Sequence, residues 1–224
     1  MKTNKKVALI FLVLILFSII VSSIASAATL NVGSHEKYKT IQSAVNAAKD
    51  GDTINVACGT YHENVKINKY LSLIGTKYPK VDGFNFILSG NQVNGFSFQK
   101  YGIDVEYNAG GEIIKDNYFY NCGISLGGLI GDAKIINNQI TNGTIHLYDT
   151  FQVTITGNTI SNSKCGLYIG DLAHLPTVTK NIFKNCNHGA YIYTIDGDPG
   201  KLSTFSGNKY INNKVNLGWG MTGI

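Results

Sequence analysis

Arginine is missing from this chain of 224 residues: all 19 of its basic residues are lysine. No guanidinium fork is available to grip phosphate or carboxylate bidentately, and the lysines form no clustered patch. Nucleic acid is therefore not expected as a partner. Metal-site spacing is lacking too. Cys58, Cys122, Cys165 and Cys186 form no CxxC pair, and His35, His62, His146, His174 and His188 show no ligand spacing. After the first 27 residues, no apolar stretch is long enough to cross a bilayer.

Residues 1–27 have the form of an export signal. Lys2, Lys5 and Lys6 precede an apolar run from Val7 to Val21, and Ala25-Ser26-Ala27 offers a small-residue cleavage site. An uncleaved anchor is the alternative, but the 15-residue run is short for a span and favours cleavage. Removal leaves 19 − 3 = 16 lysines against 14 acids, a net charge of +2, so the apparent basicity belongs largely to the leader. The expected location is secreted or at the cell surface, with no membrane contact after cleavage. The four cysteines then fit either disulfides or small buried hydrophobes, and register favours mainly free thiols.

What is present is periodic. Asn117, Asn138, Asn158, Asn181 and Asn208 are each followed four places later by a second asparagine: Asn121, Asn142, Asn162, Asn185 and Asn212. The steps of 21, 20, 23 and 27 residues fall in the range of a solenoid built from stacked coils. Apolar residues keep the same register, with Ile114, Ile135, Ile155, Val178 and Phe205 before the first asparagine and Phe119, Ile140, Ile160, Phe183 and Tyr210 after it. Ile54-Asn-Val56, Val65-Lys-Ile67 and Leu71-Ser-Leu73 alternate as half-buried strands do. A second strand of form Gly-apolar-x-apolar recurs at Gly102–Val105, Gly123–Leu126, Gly166–Ile169 and Gly189–Ile192, with Ile145-His-Leu147 as a variant.

The connections are too short to hold helices between parallel strands, so the sheet must coil on itself as an all-β, single-stranded parallel β-helix with rungs about 4.8 Å apart. Asparagine suits its corners because it tolerates the left-handed backbone and can ladder its amide from coil to coil. That placement also favours a structural role for Asn142 over the glycosylation suggested by Asn142-Gly-Thr144. Thr40–Asp50 puts Ile41, Ala44, Val45 and Ala48 on one helical face before Gly51, as a short cap over the first coil would require. The expected organisation is a signal at 1–27, a strand and capping helix at 28–52, and the β-helix at 53–224.

Tyr38–Val56, with Gly59-Thr-Tyr61, Glu63-Asn-Val65 and Leu71-Ser-Leu-Ile-Gly75, resembles the opening of right-handed parallel β-helix proteins of the carbohydrate-binding and sugar-hydrolase superfamily. Pectin-methylesterase-like proteins share that opening. The later coils are similar to the repeats of the nitrous-oxide-reductase accessory β-helix family and of adhesin-like surface proteins of methanogenic archaea. The resemblance implies a right-handed, pectin-lyase-like fold and says little of activity, because the repeated residues are scaffold. Pectate lyases of this fold use an arginine base, and pectin methylesterases carry an arginine with glutamine and aspartate motifs; none of these is present here.

In each Gly-apolar-x-apolar strand the middle residue faces outward, which gives a column Asp104, Ser125, His146, Tyr168, Tyr191. Two places on stand Glu106, Gly127, Tyr148, Gly170 and Tyr193. Rings beside acids and an imidazole suit sugars, so Asp104, His146, Tyr148, Tyr168 and Tyr191 are candidate binding residues. The alternative is an aromatic ladder that only stabilises the sheet. Asp149 and Asp171 share one offset in consecutive coils and are the candidate catalytic pair if the protein hydrolyses polysaccharide; as solvated turn acids they would do neither. Asp196-Gly-Asp198 admits calcium but shows too few ligands for a metal site, and it is equally a turn.

These observations lead to an expected non-catalytic, exported protein that binds polysaccharide, cell-surface glycan or other surface molecules. Its rivals are a polysaccharide hydrolase and a structural spacer. Arginine-dependent chemistry should be absent. Incubation with pectin or polygalacturonate, with and without calcium, should yield neither unsaturated products nor methanol; robust turnover of either kind would overturn this.

Overall fold

A computed structural model describes residues 26–88, 90–106, 110–170, 174, 176–193 and 205–220. Residues 1–25, Asp171, and residues 194–204 with Asp196 and Asp198 lie outside the described residues. The chain winds into a parallel β-helix whose cross-section has three walls. The first wall is a nine-stranded sheet, running from Thr29–Val32 through Thr53–Val56, Ser72–Gly75 and later coils to Phe205–Ser206. The other two walls belong to one thirteen-stranded sheet folded along a corner. In later coils each wall has its own strand, as with Gln139–Thr141 and Ile145–Phe151. In the first coils one strand runs through the corner, as in Lys80–Phe86 and Ser97–Val105, and the pairing register slips there between Val81 and Gly83.

Each strand exposes alternate residues, so the inward ones stack from coil to coil. Ile54, Leu73, Val93, Ile114, Ile135, Ile155 and Val178 form one buried column in continuous parallel register. Phe98, Phe119, Ile140, Ile160 and Phe183 form a second. Both columns contain the stacks expected from the repeat. In the early coils Phe84, Phe96, Phe98 and Phe119 fill the interior; Phe84 meets Phe96 and Phe98 edge-on at 5.1 Å, and Phe98 stacks on Phe119 at 4.7 Å.

The two asparagine columns do different work. The first is a buried ladder. Asn158 Oδ1 accepts from the backbone N–H of Asn138 at 2.8 Å and from its Nδ2 at 3.0 Å, while Asn158 Nδ2 donates to Ile135 O at 2.9 Å. The same pattern runs from Asn117 to Asn208, so every amide in the stack satisfies a backbone donor that the corner leaves without a sheet partner. The second column supplies geometry. Asn121, Asn142, Asn162, Asn185 and Asn212 all hold φ between 52° and 57°, the left-handed region that asparagine tolerates better than most residues. Asn142 is exposed and donates its side-chain amide to Asn121 Oδ1 at 2.7 Å.

The capping helix is shorter than its sequence pattern, Ile41–Ala47 rather than Thr40–Asp50. Thr40 is extended and caps the N-terminus by accepting from Ser43 N, and Ala48 is already extended at ψ 161°. The apolar face behaves as its spacing demands, with Ile41, Ala44 and Val45 fully buried over the first coils. Two charged residues of the next coil hold the helix at its ends. Glu63 accepts from Ile41 N and Gln42 N at 2.9 Å each, at the positive end of the helix dipole. Lys69 Nζ donates to Val45 O, Asn46 O and Ala48 O at 2.7–2.8 Å, at the negative end. Asp52 then accepts from Ala28 N and Lys49 N, and those two bonds hold its carboxyl below the usual range.

All four cysteines are free thiols; Cys58 is exposed, while Cys122, Cys165 and Cys186 are buried. Burial pushes Cys122 up to about 11 and Cys165 up to about 12, which leaves both inert as nucleophiles.

Ladder and core should carry comparable weight. Ile155→Ala should cost about 2–5 kcal/mol through lost transfer and a cavity. Asn158→Ala strands the Asn138 donors and the Ile135 carbonyl, at about 1–3 kcal/mol per unsatisfied group. Urea unfolding measures both, and an Asn158→Ala protein within about 0.5 kcal/mol of the parent, the scale of ordinary surface substitutions, would show the ladder to be dispensable.

Candidate binding groove

The third wall carries the outward column in the register read from the sequence. Asp104 pairs with Ser125, Ser125 with His146, His146 with Tyr168, and Tyr168 with Tyr191. Their strand neighbours Ile103, Val105, Ile124, Leu126, Ile145 and Leu147 are buried, so the intervening side chains must point out.

Beside this column runs one of glycines, and its cause is steric. Gly102 holds φ at 76°, and a Cβ there would run into the carbonyl oxygen of Gly123. One at Gly123 would run into that of Thr144. The corner brings successive backbones too close for side chains, so bare backbone forms a floor. Side chains rise on either side and leave an open groove of about 500 Å³. Asp104, Ser125 and His146 line it from the column, and Asn85, Asn121 and Asn142 complete much of the wall. Tyr101, 53 % exposed, stands at its edge. A shallower depression of about 160 Å³ continues past Asp104 and Ser125 to Glu106 and Tyr148.

Asp104 is exposed, yet crowding by the groove walls raises its carboxyl above the usual range; the Ser125 hydroxyl opposes that shift and the nearby Glu106 adds to it. Glu106 accepts from Asn85 Nδ2 at 2.7 Å. Partial burial lowers His146, which favours the neutral imidazole at neutral pH. The groove therefore offers amide donors and acceptors, hydroxyls, a neutral imidazole, two acids and the faces of Tyr101 and Tyr148.

The tyrosine end of the column departs from expectation. Tyr191 does not project on an exposed face; it is only 6 % exposed. Its ring stacks on Tyr168 at 6.0 Å, meets His188 edge-on at 5.4 Å, and lies over Gly218 and Gly220, where a Cβ would come within 3.0 Å and 2.7 Å of it. Tyr168 is half-buried between Tyr191 and the edge of His146 at 4.9 Å. That geometry is a ladder. Asp149 follows the exposed Tyr148 inside the strand Ile145–Phe151, with a left-handed backbone at φ 51° where the pairing register shifts, and the other half of the expected pair, Asp171, lies outside the described residues. Among the described residues, no group of three or more histidine, cysteine or acidic side chains is placed to hold a metal ion.

Asn85 was legible in principle, because Gly83-Phe84-Asn85-Phe86 has the same Gly-apolar-x-apolar form and pairs residue for residue with Gly102–Val105. Asn121 and Asn142 were visible only as corner residues. Nothing in the linear pattern shows that the corner also borders a groove.

A family profile described as "Right handed beta helix region" matches residues 80–223. The chain belongs to that family. No curated protein matches the sequence. Among solved structures it is similar to the pectin methylesterase from Aspergillus niger in its penultimately deglycosylated form, at 16 % identity and a TM-score of 0.39, over 84 % of this chain and 86 % of that one. Shared coil architecture in the β-helix family leaves the groove to be read from its own residues.

If Tyr168 and Tyr191 are a structural ladder, Tyr168→Ala should remove two ring contacts worth about 0.5–1.5 kcal/mol each and lower the melting temperature by several degrees. Calorimetry on that variant is the check, and an unchanged melting temperature would show that the Tyr168 ring contacts do not hold the wall together.

Proposed function

We propose that this exported, right-handed β-helix binds carbohydrate in the groove of its third wall, without catalysis, at the cell surface or after secretion. The observation that carries the reading is the groove itself: a concave strip about 500 Å³ in volume with amide, hydroxyl and imidazole groups along its sides and exposed tyrosine faces at its margins. Sugars need this mixture, because their C–H faces pack on rings while their hydroxyls want oriented donors and acceptors. The neighbouring coils hold these groups on a rigid sheet, so little ordering cost falls on binding. The lysine-led apolar leader supports export, and a surface location would put glycans and other surface molecules within reach.

A hydrolytic reading has one observation in its favour, the raised proton affinity of Asp104 beside Glu106. Reducing ends released from a bound polysaccharide, and lost in Asp104→Asn, would replace binding by catalysis as the primary function.

Ser125 is the point at which to test the groove. It is half-exposed in the middle of the strip and touches no core column, so Ser125→Trp should fill the groove while leaving circular dichroism unchanged. On a glycan array and then by calorimetric titration, the parent should bind at least one polysaccharide and the variant should bind it at least tenfold more weakly. Equal affinity in a folded Ser125→Trp protein would place the binding elsewhere.

A further inference from the structure

The charge of the groove narrows the class of sugar. Lining side chains include Asp104 but no lysine, and the adjoining depression adds Glu106. The nearest cations lie outside. Lys100 sits over the Tyr101 ring at 4.7 Å, and Lys66 stands in the outward column one rung beyond Asn85, beside no lining acid in an ion pair. Among the described residues the only ion pair is His62 with Asp82 at 3.4 Å, so neither Asp104 nor Glu106 has a counter-charge. Of the other titratable lining groups, burial pushes the Cys122 thiol up to about 11 and biases His146 toward its neutral form, and Tyr101 stands at the edge.

Resting on the carbohydrate reading above, we infer that Asp104, with Glu106, makes the groove selective for sugars that carry free amino groups or no charge, and against uronates. An ammonium entering the strip would meet the Asp104 carboxyl, which no cation pairs, with Glu106 in the adjoining depression. A uronate carboxylate would instead be brought against Asp104 with no guanidinium anywhere in the chain to receive it. Neutral sugars avoid both terms and use the amides alone. Like charges at such separations in a partly solvated groove are worth on the order of tenfold in affinity, and screening by salt should shrink the difference.

Three oligosaccharides of equal length serve as probes: a chitosan oligomer, a neutral cello-oligomer and an oligogalacturonate, titrated at low and high salt. The expected order is chitosan, then cello-oligomer, then oligogalacturonate, with about tenfold between the extremes at low salt. Asp104→Asn keeps the side-chain shape and an acceptor for Ser125 but removes the charge, so it should shrink the spread between the two charged probes at least threefold. Oligogalacturonate binding as tight as the neutral probe, or an unchanged spread in Asp104→Asn, would overturn the selectivity while leaving the groove reading standing. If none of the three binds, the selectivity fails while the glycan array decides the groove reading; if probes bind and Ser125→Trp weakens none of them, the groove reading itself fails and the selectivity with it.

Discussion

Everything in this fold depends on keeping successive coils in register, and the buried asparagine ladder is the interaction that does so at the tightest corner. A strand can slide along its neighbour by two residues and still bury the right face. The ladder removes that freedom. Each amide oxygen accepts from both the backbone N–H and the side-chain amide of the asparagine one coil earlier, so a slip would leave several buried polar groups unpaired at once. The apolar columns supply most of the driving force, but they are permissive about alignment; the amides are not. Isoleucine, valine and phenylalanine can interchange within a column, and they do, while the first asparagine holds its place from Asn117 to Asn208.

Register fixed in this way turns sequence spacing into a surface. Residues whose side chains point outward have no part in the ladder or the core, so their chemistry can vary from coil to coil without loss of fold. The column from Asp104 to Tyr191 shows both uses of that freedom. At one end the side chains are short and polar, and the adjoining glycines leave a hollow. At the other, rings stack on one another and on bare backbone at Gly218 and Gly220, closing the same face. Groove and ladder are thus alternative ways of finishing one wall.

The parts of this molecule that were readable in sequence are those that repeat. The inward columns, the asparagine corners and the outward register all follow from period and alternation, and a single chain contains five to seven copies of the evidence for each. Features that occur once were hidden. Glu63 and Lys69 clamp opposite ends of the helix Ile41–Ala47, but their partners lie more than twenty residues away and no periodic signal links them. The burial of Tyr191 depends on glycines in the following coil, which alternation alone treats as featureless. The groove depends on an absence, side chains that a close backbone approach forbids, and only coordinates show where that absence borders Asp104 and His146.

The absence of arginine takes on a structural meaning in this setting. A stacked β-helix repeats every outward position at roughly 4.8 Å, so a long cationic side chain in such a column meets its neighbours above and below. Lysine instead supplies all 19 basic residues, and at Lys69 one ammonium satisfies three carbonyl groups at once. Among the described residues, Asp104 and Glu106 in the third wall form no ion pair, though Asn85 donates to Glu106 and Ser125 bonds Asp104. Nothing in the folding of the coil requires them: Asp104 and Glu106 point away from the core, and the rungs on either side carry amide, hydroxyl and imidazole at the matching position. Two carboxyl groups without a paired cation on the wall of a hollow add little to the fold beyond their bonds to Asn85 and Ser125, so the charge of the groove is best understood through what enters it.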